Sequence, residues 1–432
     1  MADSSMHRPD GRPRVVVTGM GAVTPAGPSA AATLEAVLAA RPAAVPITTW
    51  DTEGHPVRFA AEISDFDPAP LIEPRDARRI DRVSQLGIVA AQEALAQAGL
   101  AGPADPTGES SNPDGVDRTR VAVVIGSGVG GIITLEDQIE VRVTRGVNRV
   151  GPMLIPMMMS NATSGLVALR HGFHGPAFSV ATACASGVDS IGQAVDMIRA
   201  GRVDVVVAGG AEASITPTAM AAFARMGALS TRNDDPAGAS RPFDRLRDGF
   251  VMGEGAGVVV LESATHAARR GATVLGELAG YGSTCDAHHI TAPDPDGAGA
   301  IASMALALAD AGVAPGEIGH INAHGTSTPL NDAAETGATL KVFGEQGPPV
   351  TSTKGVTGHL VGATGAVEAV IGLLAATAGT VPPVANLTDP DVDPAIDLVR
   401  DTPREIPVAP VLSNSFGFGG HNASLVLVPP GA

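Results

Sequence analysis

The chain has 432 residues, 44% of them hydrophobic and 17% charged, which is enough apolar mass for a large buried core and the wrong balance for a disordered or coiled-coil protein. Its formal charge of −17 argues against general nucleic-acid binding, which demands a basic surface. Two cysteines in so long a chain give no disulfide framework, so a reducing cytoplasm is the expected setting. The first fourteen residues are polar and proline-containing, without the apolar stretch of a secretory signal. The apolar runs 153–159 and 367–376 are too short or too interrupted to span a bilayer, so no membrane insertion is expected.

In chain order, β-branched runs at 15–19, 121–126, 205–209 and 258–261 read as strands, most of them ending in small residues. Such uninterrupted apolar strands suit a sheet covered on both faces. Alanine-rich stretches at 84–98 and 190–200 read as helices between them, which gives an α/β class. Residues 101–120, rich in proline, glycine and aspartate and without periodicity, read as an exposed loop. From about 272 a second series of strand candidates begins, at 274–279, 318–323, 350–353, 411–414 and 423–428. Each series can close on a hairpin: 250–253 with 258–261 in the first, and the last two candidates in the second. This pattern reads as an internal duplication, with halves at 14–272 and 273–430 that face each other and pool their loops. Residues 1–13 and 429–432 are expected to be frayed ends.

Cys184 follows an apolar strand pattern and opens a helical one. A thiol at a helix start faces unpaired N–H groups and the positive end of the dipole, which favour the thiolate. A small buried hydrophobe is the competing reading of any free cysteine. His324, ahead of Asp332 and Glu335 on an expected helix, and His359 also sit at strand-to-loop exits, where functional groups of open α/β sheets gather. In 414–422, glycines flank Phe416 and Phe418, a pattern that fits a tight hairpin or a mobile gate carrying an amide donor. Lys341 and Lys354 are the only lysines, so Lys354, five residues before His359, stands out. His171, His174, His288, His289 and His421 lie near glycines or turns, and the neighbours His288 and His289 lack the one-face spacing of a helical metal pair; no metal is expected.

Taken together, the Thr182 to Gly187 block, the His324 to Thr328 block, Lys354 through His359 and the Gly417 to Gly420 loop resemble the β-ketoacyl-acyl-carrier-protein synthases, closest to the synthase II type, over residues 14–429. The resemblance implies a thiolase-like fold, two duplicated βα halves stacked as a five-layer αβαβα core and usually dimerised. It implies a decarboxylative Claisen condensation in fatty-acid chain elongation, with no cofactor bound by the enzyme itself, because the substrates ride on the phosphopantetheine of an acyl carrier protein. Cys184 is then the acyl-accepting nucleophile. The N–H groups of Cys184 and Phe418 form an oxyanion hole, within a gate made of Phe416, Gly417, Phe418, Gly419 and Gly420. His324 and His359 act as neutral imidazoles that hold the malonyl-derived enolate. Lys354 and Glu335 match a buried ion pair behind the histidines. Thr326 and Thr328 match hydroxyls along the phosphopantetheine arm, Val129 the floor of the acyl pocket, and Asp286 a loop that moves with the gate. Arg75, Arg78, Arg79 and Arg82 match a basic patch for the acidic carrier.

Many family members carry an aromatic pair where this chain has Pro152, Met153 and Leu154, followed by Met157, Met158 and Met159, which points to a pliable acyl pocket. That departure keeps open a type II polyketide ketosynthase paired with a Cys-lacking, chain-length-determining homologue. A Cys–His thiol hydrolase and a non-catalytic carrier-binding scaffold are the readings from other classes.

Overall fold

The computed structural model describes residues 6–102 and 116–432; of the expected loop at 101–120, residues 103–115 lie outside that range, as do 1–5 of the N-terminal end. Ten strands carry the architecture. In the first half they are β1 (Val15–Val23), β2 (Val121–Gly126), β3 (Ala177–Phe178), β4 (Val205–Glu212) and β5 (Gly255–Ser263). In the second they are β6 (Gly276–Cys285), β7 (His320–Asn322), β8 (Val350–Thr351), β9 (Val411–Gly417) and β10 (His421–Val428). Their hydrogen-bonded order is β8-β7-β9-β10-β6-β1-β5-β4-β2-β3.

The order repeats. Counted outward from the β6/β1 junction, each half runs first, fifth, fourth, second, third strand, with two antiparallel pairings followed by two parallel ones. The halves meet in a short antiparallel contact, Val16 with Glu277 and Val17 with Gly276.

Six helices layer onto these strands: α1 (Arg82–Gln97), α2 (Ala162–His171), α3 (Ser186–Arg199), α4 (Ala298–Ala311), α5 (Pro329–Phe343) and α6 (Thr364–Thr377). Because side chains alternate faces along a strand, Val121, Val123 and Ile125 of β2 enter one core with Leu86 and Leu95 of α1. Ala122 and Val124 enter another with Ile191 of α3, Val370 and Leu373 of α6, and Leu425 and Leu427 of β10. On the far side, Leu412 and Val426 pack with Met304 and Leu308 of α4. Helices α3 and α6 are therefore buried between two sheet halves, which makes five layers, αβαβα. Strands with both faces covered must be apolar throughout, which is why β2 and β4 show no polar alternation.

Two expectations are corrected and a third is met. Residues 250–253 form no strand; they make isolated bridges to Leu229, Ala61 and His359, and the antiparallel partners of β5 are β1 and β4. Residues 6–13 are anchored, since Arg8 donates to the Ala279 carbonyl at 2.8 Å and His7 bridges Pro13, so the described part of the N-terminal end is not frayed. The second hairpin is present as β9 and β10, with Gly419 (φ 85°) and Gly420 (φ 76°) making its turn.

Candidate active site

The buried middle helices α3 and α6 begin at the same place, and the site is built where they do. After β3 the chain runs extended to a single tight turn, Ala183–Ala185, which leads directly into α3. Ala183 holds φ 50°, a left-handed conformation that costs about 1–3 kcal/mol for a residue with a Cβ. The Ser186 hydroxyl steadies this turn, accepting from the Thr182 N–H at 2.9 Å and donating to the Ala183 carbonyl at 2.7 Å. Cys184 sits on the turn, 8% exposed. The β9–β10 hairpin comes close enough that a Cβ on Gly417 would lie 2.9 Å from the Thr182 carbonyl and 3.0 Å from the Cys184 nitrogen, so only glycine fits there. That approach aims the Phe418 N–H, together with the Cys184 N–H, at the Cys184 sulfur.

His324 follows β7, and His359 follows the short helix Lys354–Thr357 that succeeds β8. His359 Nε2 lies 3.1 Å from Cys184 Sγ, and its Nδ1 lies 3.0 Å from Thr364 Oγ1, at the first residue of α6. The His324 ring stands nearly perpendicular to that of His359, with centroids 5.4 Å apart. The ligating atoms of Cys184, His324 and His359 all fall within 4.8 Å of one another. Burial, reinforced by the nearby Lys354 ammonium, holds both imidazoles well below their ordinary pKa, so both are neutral at pH 7. Cysteine and histidine are the donor types of a zinc site. Here, however, Lys354 adds its positive charge beside three buried groups that keep their protons or stay neutral, which disfavours a cation.

The thiol departs from the sequence expectation. Burial pushes Cys184 up to about 11, outweighing Lys354 and the Phe418 N–H, which pull it down. A helix start lowers a thiol only where solvent or charge supports the anion; this one is buried. The resting group is therefore S–H, hydrogen-bonded to His359 Nε2. In a Cys285→Ser background, iodoacetamide alkylation of Cys184 is expected to accelerate about tenfold per pH unit from pH 7 to 10. A plateau near neutral pH would contradict this assignment.

The charged pair behind the histidines also differs. Lys354, fully buried, donates to Glu368 Oε1 at 2.6 Å and to the His324 carbonyl. Glu335 is not its ion-pair partner. Its two oxygens accept the His324 and Gly325 N–H groups, each at 2.7 Å, and so fix the backbone that carries the ring. Burial raises Glu335 to about 7 despite those donors. Glu368 was missed in the sequence because it lies within the apolar run of α6; the signal was a single acid among ten residues otherwise apolar or small. Glu212, also missed, is buried at the end of β4 and accepts from the Gly128 N–H at 2.7 Å and the Gly362 N–H at 3.1 Å. It ties the 127–131 loop to the segment between His359 and α6.

A cavity of about 490 Å³ opens onto the three reactive groups. Thr326, Thr328, Val129, Asp286, Phe416 and Phe418 all line it. The Thr326 and Thr328 hydroxyls are 2.8 Å apart. Asp286 anchors the hairpin, accepting from Asn422 Nδ2 at 2.7 Å and donating its N–H to the Gly420 carbonyl at 2.9 Å. Met153, Met157, Met158 and Met159 do not line this cavity; Met153, Ile155 and Met159 are exposed on the surface of their own chain. The arginines divide. Arg75, Arg78 and Arg79 are exposed around the short helix Pro74–Ala77, whereas Arg82 turns inward from the start of α1 to pair with Glu254 at 2.6 Å and is no part of a free patch.

Comparison with known proteins covers most of the chain. Residues 12–267 match the beta-ketoacyl synthase N-terminal domain and residues 275–388 the beta-ketoacyl synthase C-terminal domain. The chain is 44% identical over 414 residues to a 3-oxoacyl-(acyl-carrier-protein) synthase 2 of Synechocystis sp., covering 95% of this chain and 97% of that protein. It is 42% identical over 416 residues to the protein of the same name from Coxiella burnetii, covering 96% and 98%. Among solved structures, a beta-ketoacyl synthase from Burkholderia phymatum superimposes with TM-score 0.87 at 35% identity, covering 96% of this chain and 99% of that one. The ishigamide ketosynthase/chain length factor does so with TM-score 0.88 at 35% identity, covering 97% and 100%.

Proposed function

The chain belongs to the β-ketoacyl synthase family, and from that premise we propose how its site performs 3-oxoacyl-acyl-carrier-protein synthesis, the condensing acyl transfer of fatty-acid elongation. The observation that carries the reading is a buried thiol 3.1 Å from one neutral imidazole, with a second neutral imidazole perpendicular to the first at the same cavity end. Cys184 Sγ attacks an acyl thioester while its proton passes to His359 Nε2 and on to the departing carrier thiol. The N–H groups of Cys184 and Phe418 hold the tetrahedral oxyanion. A malonyl thioester then occupies the cavity and its carboxylate leaves as carbon dioxide. The electron pair remains as an enolate, whose oxygen accepts N–H groups from His324 and His359. The enolate carbon bonds to the acyl carbonyl and the C–S bond to Cys184 breaks. The sulfur regains from solvent the one proton that decarboxylation consumes. Lys354, Glu368 and Glu335 touch no substrate in this scheme: Glu335 fixes the backbone that carries His324, Glu368 holds Lys354, and the Lys354 charge adds to burial in keeping His324 neutral.

No separate cofactor enters this sequence, since the phosphopantetheine arrives with the substrate past Thr326 and Thr328. Arg75, Arg78 and Arg79 would meet the acidic carrier, a role whose affinity should weaken with salt. A second copy would cover the exposed apolar side chains of Val143, Val147, Ile155 and Leu169. No helix among the described residues is long and apolar enough to cross a membrane, in keeping with work in the cytoplasm. The boundary at 272/273 separates the half carrying Cys184 from the half carrying His324, Lys354, His359 and Phe418.

The polyketide alternative rests on likeness to a ketosynthase/chain length factor and predicts an obligate unlike pair, whereas the elongation reading predicts a homodimer. Intact-mass analysis tests the reaction. Incubation with acyl carrier proteins is expected to add the acyl mass to Cys184, and malonyl-carrier addition to release a product longer by one two-carbon unit. Failure to load any acyl group would sink the reading. The hydrolase alternative leaves His324 and Lys354 without a task, and the scaffold alternative is set aside by the family assignment.

A further inference from the structure

The two half-reactions ask opposite things of one nitrogen. While Cys184 carries its proton, His359 Nε2 must accept it; once the sulfur is acylated, Nε2 must donate to the enolate oxygen. A neutral imidazole does one or the other according to which nitrogen is protonated, and the group on Nδ1 decides which. A backbone N–H there would lock Nε2 as donor, and a carbonyl or carboxylate would lock it as acceptor.

In this chain the partner is a hydroxyl. Among the described residues, the Nδ1 atom of His359 has one hydrogen-bond partner, Thr364 Oγ1 at 3.0 Å. Thr364 is the first residue of α6 and 1% exposed. The ring has little freedom to seek another: Phe250 packs edge-on at 5.1 Å, His324 at 5.4 Å, and the His359 N–H is tied to the Val251 carbonyl at 2.7 Å. A threonine hydroxyl both donates and accepts by turning about its C–O bond, without moving the ring.

We propose that Thr364 is a positioning residue that supports both tautomers of His359, accepting from Nδ1–H during acyl loading and donating to Nδ1 during decarboxylation and condensation. The inference rests on the roles given to Cys184 and His359 above. It adds no proton to either half-reaction. The hydroxyl is neither ionised nor consumed, and the ring exchanges its proton with water after the first carrier leaves and the cavity is open.

The test separates packing from hydrogen bonding. Thr364→Val keeps the shape and loses the hydroxyl; Thr364→Ser keeps the hydroxyl and loses a methyl. Acyl loading is followed by intact mass, and malonyl-carrier decarboxylation by carbon dioxide release from the acylated enzyme. Thr364→Val is expected to slow both steps about tenfold, the scale of one buried hydrogen bond, and Thr364→Ser to stay within about twofold of wild type. The opposite pattern, rescue by Val and loss with Ser, would assign Thr364 to packing and overturn the proposal. Slowing of only one step by Val would overturn the two-way role. Should Val fail to fold, Thr364→Ala against Thr364→Ser gives the same contrast. Loss of loading in the wild type would instead refute the reading on which the proposal rests.

Discussion

Cys184→Ala is expected to take up no acyl mass from any acyl carrier protein and to lose condensation by about 10⁴-fold or more, the scale seen when a covalent nucleophile is removed. Decarboxylation should behave differently. The enolate is held by His324 and His359, and each keeps anchors other than the sulfur: the His359 ring is held by Thr364 and its backbone by the Val251 carbonyl, and the His324 backbone is held by Glu335. Cys184→Gln, which fills the space of an acylated sulfur with a neutral amide, should therefore release carbon dioxide from malonyl-carrier while making no carbon–carbon bond. Adding His324→Ala to that variant should cut the release about 10²–10³-fold, the range for one donor to a developing oxyanion. Equal decarboxylation with and without His324 would show that the second ring has no part in holding the enolate.

The same residues show what a sequence discloses and what it hides. Cys184, His324 and His359 were legible because each follows an apolar strand and precedes glycine-containing or small-residue turns, a pattern with few uses other than presenting a side chain at a sheet's edge. The repeat of strands was legible for a related reason: with α3 and α6 buried between the halves, both faces of each strand must be apolar, and the runs stand out. Partnership was not. Lys354 reaches Glu368 of α6 rather than Glu335, whose two oxygens are engaged by two backbone donors. Arg82 shares a stretch of sequence with Arg75, Arg78 and Arg79, yet one helix start rotates it toward Glu254. The thiol's ionisation was misjudged for a similar cause. A helix start is visible in sequence, whereas the burial that overrules it exists only once distant segments pack around the turn.

Lys354→Met is expected to destabilise the fold by about 3–5 kcal/mol in denaturant unfolding, because it strands Glu368 as a buried acid without its cation. Removing both partners should cost less. In Lys354→Met/Glu368→Leu no charge remains to be desolvated, so most of the lost stability should return. Activity should not return with it. Lys354 supports the His324 carbonyl and, by its charge, depresses both imidazoles. Without that charge the histidine pKa values rise toward the ordinary range, while burial continues to hold them below it. Acyl loading needs a neutral His359 to accept the thiol proton, so loading is lost as pH falls through that pKa. A raised pKa therefore moves the acid limb of the loading rate to higher pH in both variants. A double variant with recovered stability, unchanged acid limb and full turnover would reduce the pair to a structural element. Recovered stability with a shifted acid limb would separate the two duties of Lys354, one to the fold and one to the protonation of the rings it faces.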